Sequence, residues 1–164
     1  MMPQATLQRA TFRTSRLFDY FSEKGLTLQT GHAPDRWPLV VLKELIDNSL
    51  DACEEHDILP DLQVTMQRDG AMAVSDNGPG LSTAVIESIL DFSVLVSSKD
   101  AYISPTRGAQ GNALKTVMAI PYVLQGGQVS TVTIASQGQR HAITIALDRI
   151  EQTPAIDHSV AADP

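Results

Sequence analysis

Residues 43–55 read KELIDNSLDACEE, and the placement of this segment decides the fold. Apolar residues recur at helical spacing from Pro38 to about Glu55, which predicts the longest helix of the chain. Pro38 suits its first turn, where a missing N–H costs nothing. The segment also carries five acidic residues and an asparagine, a heavy polar load for a helix otherwise built for burial. At 100° per residue Glu44, Asn48 and Asp51 fall within about 60° of one another, with Asp47 beside them. Leu42, Ile46, Ser49 and Cys53 lie opposite, flanked by Leu39, Leu45 and Leu50. The polarity is therefore sorted, and two readings follow. One is a solvated face. The other is a set of oxygen ligands one turn apart that holds a hydrated Mg²⁺, with a neighbouring carboxylate activating water as a general base. The helix alone does not choose between them.

Working outward, residues 14–23 (TSRLFDYFSE) predict a short helix closed by Gly25, followed by a loop containing Gly31, Pro34 and Pro38. Downstream, LQVTMQ (62–67) and AMAVSD (71–76) alternate as strands around the hairpin turn Asp69-Gly70. Ser82 caps a helix over about 83–91, and residues 93–110 form a long polar loop, of the kind that serves function or moves. Residues 111–120 predict a helix that Pro121 stops or kinks, and QVSTVTIA (128–135) and RHAITIAL (140–147) a hairpin across SQGQ. The tail from Thr153 has no strong pattern and is expected to be poorly ordered unless something packs on it. Helices and hairpins in this order predict an α+β sandwich with an antiparallel or mixed sheet.

The bulk properties agree with a soluble globular chain. Its 164 residues are 43% hydrophobic and 19% charged, enough for one domain with a single core. Few aromatic residues are present (four Phe, three Tyr, one Trp), so the core is expected to be aliphatic. There is no run of about 18 apolar residues and no apolar leader at the start. The single cysteine, Cys53, makes no internal disulfide and suits a reducing compartment, so a cytoplasmic location without membrane contact is expected. A net charge of −7 without Lys/Arg runs lacks the footprint of direct nucleic-acid binding.

Two further motifs carry chemistry. Asp76-Asn77-Gly78-Pro79-Gly80 ends a strand. It is either a plain turn or a site where glycines admit a ligand close to the backbone and the aspartate accepts a hydrogen bond from an exocyclic amine. Arg107-Gly108-Ala109-Gln110-Gly111-Asn112-Ala113-Leu114-Lys115 is a glycine loop entering a helix, whose backbone N–H groups suit phosphates. Neither the GxxxxGK[ST] loop nor a GxGxxG after a strand is present.

Taken together, the three motifs resemble the GHKL ATPases: gyrase, the heat-shock chaperones, histidine kinases and MutL, with the B subunit of topoisomerase VI nearest in appearance through SSK and RGAQGNALK. The helix matches E-x3-N-x2-D-A as Glu44, Asn48, Asp51 and Ala52. Asp76, Gly78 and Gly80 match D-x-G-x-G, and Gly108 and Gly111 match the lid box. The resemblance covers roughly residues 35–147. It implies a two-layer sandwich over 35–150, with a mixed, mostly antiparallel sheet, helices on one face and an ATP lid at about 93–112. Residues 1–34 would be a lead-in and 151–164 a tail. It further implies ATP and Mg²⁺ as ligands, Glu44 as general base, Asn48 on the metal and Asp76 on the adenine amino group. Asp51 would belong to the nucleotide site. Gly78 and Gly80 would allow close approach, and residues 108–113, with Asn112, Ala113 and Leu114, would wrap the phosphates. Lys99, Arg107 and Lys115 are candidate phosphate contacts or else solvated surface.

Two departures qualify the likeness. Ala113 stands where many relatives have a glycine, and residues 148–164 do not clearly supply the further strand that usually follows the last hairpin. No transducer domain follows either. The resemblance thus implies a minimal ATPase module or a fragment, slow by itself, whose lid closure alters association with a protein partner or a second copy. The alternatives are an ATP-sensing switch without efficient hydrolysis and a histidine-kinase-like catalytic domain.

Overall fold

The computed structural model describes residues 17–92, 103–104, 108–148, 150 and 153–163. Lys99, Arg107 and most of the proposed lid lie outside these residues, as does the lead-in before Leu17.

Near the N-terminus the predicted single helix is two: α1 (Leu17–Tyr20) and α2 (Glu23–Thr30). Ser22 caps α2 by accepting a hydrogen bond from Gly25 N–H at 3.1 Å, a common way to satisfy a helix-start donor. Gly25 therefore opens a helix instead of closing one. Its missing side chain lets the Asp19 carbonyl approach, where a Cβ would collide. Gly31, at φ +70°, makes the C-terminal cap that a side chain would resist.

A 3-10 turn (Pro34–Arg36) leads into α3 (Trp37–Glu55), as the apolar spacing predicts. β1 (Leu62–Met66) and β2 (Met72–Asp76) form the expected hairpin, with Gly70 at φ +90° in the turn. α4 (Thr83–Leu90) starts at Ser82, whose hydroxyl accepts from Val85 N–H. The short strands β3 (Ile103–Ser104) and β4 (Gly108–Ala109) pair antiparallel just before α5 (Gln110–Leu124).

Pro121 does not stop α5, which runs on to Leu124. An interior proline costs about 3 kcal/mol. Here Val117, Met118, Ala119, Ile120 and Tyr122 are buried on both sides of it, so packing holds the turn together. β5 (Ser130–Ser136) and β6 (Gln139–Asp148) meet in a two-residue turn whose Gln137 and Gly138 both have positive φ, which matches the right-handed strand twist.

The tail departs most from expectation. Residues 153–162 form β7 (Thr153–Ala162), paired antiparallel with β6 along ten register positions from Asp148↔Thr153 to Gln139↔Ala162. Its apolar residues, Ala155, Ile156, Val160, Ala161 and Ala162, do not alternate regularly; the ladder on β6 provides the order. All strand pairs among the described residues are antiparallel, four ladders in three separate sheets, not one mixed sheet. The architecture is α+β.

The core gathers Trp37 and Val41 of α3, Ile86 and Ile89 of α4, the middle of α5, and Ile143 and Ile145 of β6. It is also more aromatic than composition suggests: Phe21 lies 4.9 Å from Phe92 and 5.8 Å from Tyr122, and Tyr20 lies 5.3 Å from Phe92. Such edge and tilted contacts add to burial. Among the described residues no helix is long and apolar enough to cross a membrane.

Candidate functional site

Helix α3 builds one wall of the site and is buried on more than one side, with Ser49 and Cys53 on the apolar side and Asp51 on the polar one. The buried residues include Trp37, Val41 and Asp51, while Leu39 is 58% exposed and Leu42, Ile46 and Leu50 are half-buried. On a 100° wheel, Glu44, Asn48 and Asp51 share the sector of Trp37 and Val41. Asp51 is buried there, whereas Glu44, Asp47 and Asn48 are half-buried, as Leu42 and Ile46 are on the other side. Ser49 and Cys53, on the opposite, apolar side of the wheel, are buried as well.

Three polar groups on α3 have defined partners. Asn48 Nδ2 donates to the Glu44 carbonyl at 2.7 Å. The donor end is thereby held on the helix, an assignment that follows the hydrogen-bond network. Glu44 keeps 22% of its side chain exposed and accepts from Lys43 Nζ at 3.3 Å. Lys43 binds Asp47 more closely, at 2.7 Å. Its pKa is raised, first by the Asp47 hydrogen bond, with desolvation opposing and Glu44 adding to the rise. Asp47 is thus tied to its own helix.

The loop after β2 is fastened to α3 from beneath. Asp76 Oδ2 accepts from Ser49 Oγ at 2.9 Å, and Oδ1 from Gly78 N–H at 2.9 Å. The Ser49 hydroxyl also lies 2.9 Å from the Leu45 carbonyl, so its one proton is shared between two acceptors. Asn77 locks the loop to the segment after α3: Oδ1 accepts from Asp61 N–H at 2.8 Å, and Nδ2 donates to the Leu59 carbonyl at 3.0 Å. Gly78 sits so close to α3 that a Cβ there would lie 2.8 Å from Asp76 Oδ1 and 3.4 Å from Cys53 Sγ. Cys53 is accordingly a buried packing residue. An open depression beside Asp76 is lined by Asp61, Leu62, Gln63, Ser75 and Asn77, so the carboxylate is reachable from outside.

Gly80 is required on two counts. Its φ is +75°, and a Cβ would overlap the Ser136 hydroxyl. Gly80→Ala is expected to destabilise the fold by about 1–3 kcal/mol, visible as a lowered urea midpoint at unchanged slope.

Helix α5, which packs on α3, carries Gly111, Asn112, Ala113, Leu114 and Lys115, preceded by Gly108 in β4. Lys115 is neither solvated nor at the surface: it is fully buried, and Nζ donates to the Asp91 carbonyl at 2.5 Å. Burial lowers its pKa below the ordinary lysine value of 10.5, with Asp91 pulling the other way. Between the lowered value and 10.5 the unfolded chain binds more protons, so stability increases with pH across that window. The stability of wild type relative to Lys115→Met is expected to rise as pH climbs from neutral toward 10.5, read as the gap between urea midpoints.

Sequence reasoning missed Ser49, Asn77 and Ser136 as organisers of the site. Ser49 directly follows Asn48 in the motif helix and Asn77 lies within the DNGPG motif; no local signal marks Ser136.

An oxygen-ligated cation fits what is present. Asn48 Nδ2 is held by the Glu44 carbonyl, and no hydrogen bond to Oδ1 occurs among the described residues. No cluster of three or more His, Cys, Asp or Glu suited to a metal occurs among them, so a cation would draw most of its ligands from phosphate and water.

Comparison with known proteins gives one consistent result. The chain is similar to the B subunit of type 2 DNA topoisomerase 6. It is 29% identical to that of Methanococcoides burtonii over 143 residues, 84% of this chain and 23% of the relative. The identity is 30% with Methanosarcina barkeri over 73% of this chain and 20% of the relative, and 30% with Halobacterium salinarum over 87% and 18%. The chain thus spans about a fifth of the length of these relatives. No family model matches it.

Proposed function

We propose that this chain is a Mg²⁺-dependent ATP-binding module of the GHKL type that hydrolyses ATP. The observation that carries the reading is the Asp76 carboxylate, oriented through both oxygens by Ser49 and Gly78. It stands beside the helix that carries Glu44 and Asn48, both half-buried. Asp76 would accept the exocyclic amine of adenine, and Gly78 would keep the backbone low enough for the base to enter. Asn48 Oδ1 would hold Mg²⁺ together with phosphate oxygens, and the bound ion neutralises charge on the phosphates. The first turn of α5, from Gln110, would offer backbone N–H groups to the phosphate chain.

In the chemical step water attacks the terminal phosphorus, the Glu44 carboxylate takes the water proton, and the bond to the ADP oxygen breaks, leaving inorganic phosphate. The likeness to a topoisomerase component supports a role in DNA topology or DNA processing, with nucleotide capture coupled to association with a protein partner or a second copy. Calorimetric titration of the chain with ATP, GTP and ADP, with and without Mg²⁺, tests the reading. Saturable, adenine-selective, Mg²⁺-strengthened binding is expected; no binding of ATP in Mg²⁺ sinks it.

A further inference from the structure

The DNGPG loop is fastened not only to α3 but also, from the opposite side, to the turn between β5 and β6. Leu81 N–H donates to Ser136 Oγ at 2.7 Å, and Gln137 Nε2 donates to the Pro79 carbonyl at 3.3 Å. Thr83 Oγ1 donates to Gln139 Oε1 at 2.6 Å. Three residues of one tight turn thus grip residues 79–83 directly after Asp76. Gly80 leaves the space that the Ser136 hydroxyl occupies.

The back of the same turn is held by the end of β7. Asp163 N–H donates to the Gly138 carbonyl at 2.9 Å, and Arg140 reaches the Asp163 carboxylate at 2.6 Å through Nη2 and 2.9 Å through Nε. Gln137 and Gly138 both have positive φ, as a two-residue hairpin turn requires. The backbone of residues 136–140 joins the two sets of hydrogen bonds.

Resting on the ATP-site reading, we infer that Ser136 and Gln137 are positioning residues for the adenine-recognising loop, and that their turn couples nucleotide occupancy at Asp76 to the end of β7. The coupling is reciprocal by thermodynamic necessity: ATP tightens the Asp163–Gly138 bond to the same degree that the bond favours ATP. A lost hydrogen bond of this kind changes an equilibrium by about five- to tenfold.

Amide hydrogen exchange at Leu81, Gly138 and Asp163, with and without Mg²⁺-ATP, tests this beside ATP and adenosine affinities of wild type, Ser136→Ala, Ser136→Thr and Asp163→Ala. The expected result is about fivefold slower Asp163 exchange in wild type on adding ATP. Ser136→Ala should weaken ATP and adenosine by the same factor of about five to ten, because the adenine loop and not the phosphate site is disturbed. Ser136→Thr should restore affinity by restoring the hydroxyl, and Asp163→Ala should weaken ATP less than Ser136→Ala. Binding by wild type without any change at Asp163 overturns the coupling even if a variant fails to fold. Equal affinities for wild type and Ser136→Ala overturn the positioning role and leave the ATP site standing. Absence of ATP binding by wild type overturns the site reading itself.

Discussion

Asp76→Asn is expected to weaken ATP binding by about 100-fold or more while leaving the fold intact. The reason lies in donors and acceptors. Asp76 presents two acceptor oxygens, one to the Ser49 hydroxyl and one to Gly78 N–H. Asparagine keeps the oxygen needed by Gly78 if its NH₂ faces Ser49. Ser49 can turn its proton to the Leu45 carbonyl, already 2.9 Å away, and accept from the new amide. The loop therefore survives. An amide in that orientation sets a donor against the adenine amine, so an attraction becomes a repulsion. Thermal unfolding within a few degrees of wild type, together with loss of ATP binding by calorimetry, is the expected pair of results. An affinity within about threefold of wild type, less than one ordinary hydrogen bond is worth, would remove Asp76 from the site.

Glu44→Ala is expected to act on the other side of the cycle, retaining ATP binding and lowering turnover by about 10²–10⁴-fold, the range for a lost general base. Glu44 is partly exposed and pairs with Lys43, and exposed ion pairs of that kind add little stability. Its removal strands no buried charge, since Lys43 keeps Asp47. Single-turnover hydrolysis measured alongside Kd separates the effects. Unchanged turnover in Glu44→Ala would assign water activation elsewhere, and a wild type that binds without hydrolysing would make the module a nucleotide-sensing switch.

Much of the architecture is legible in the residues because its causes are local. Pro38 and the apolar spacing mark α3, Asp69-Gly70 and Gln137-Gly138 supply the φ values their hairpins need, and Ser82 caps α4. Failures occur where a local signal is outvoted by packing. Pro121 reads as a stop, yet the buried residues around it carry α5 past it. Gly25 reads as a terminator, yet its lack of a side chain serves the approach of Asp19. β7 carries almost no pattern of its own and is ordered by β6.

The candidate site divides the same way. Sequence by itself determined the residues with chemistry to offer, namely Glu44, Asn48, Asp51, Asp76 and the glycines around them, since residue type and spacing are written in the chain. Only the tertiary structure decided that Asp51 on the polar side of α3 is buried and that Lys115 is buried against Asp91. It alone showed that Ser49 holds Asp76 across 27 residues and Ser136 holds Leu81 across 55. Helical and turn preferences act over a few residues, whereas the orientation of a carboxylate depends on donors brought from distant segments by the burial of the core. No periodicity along the chain records that meeting.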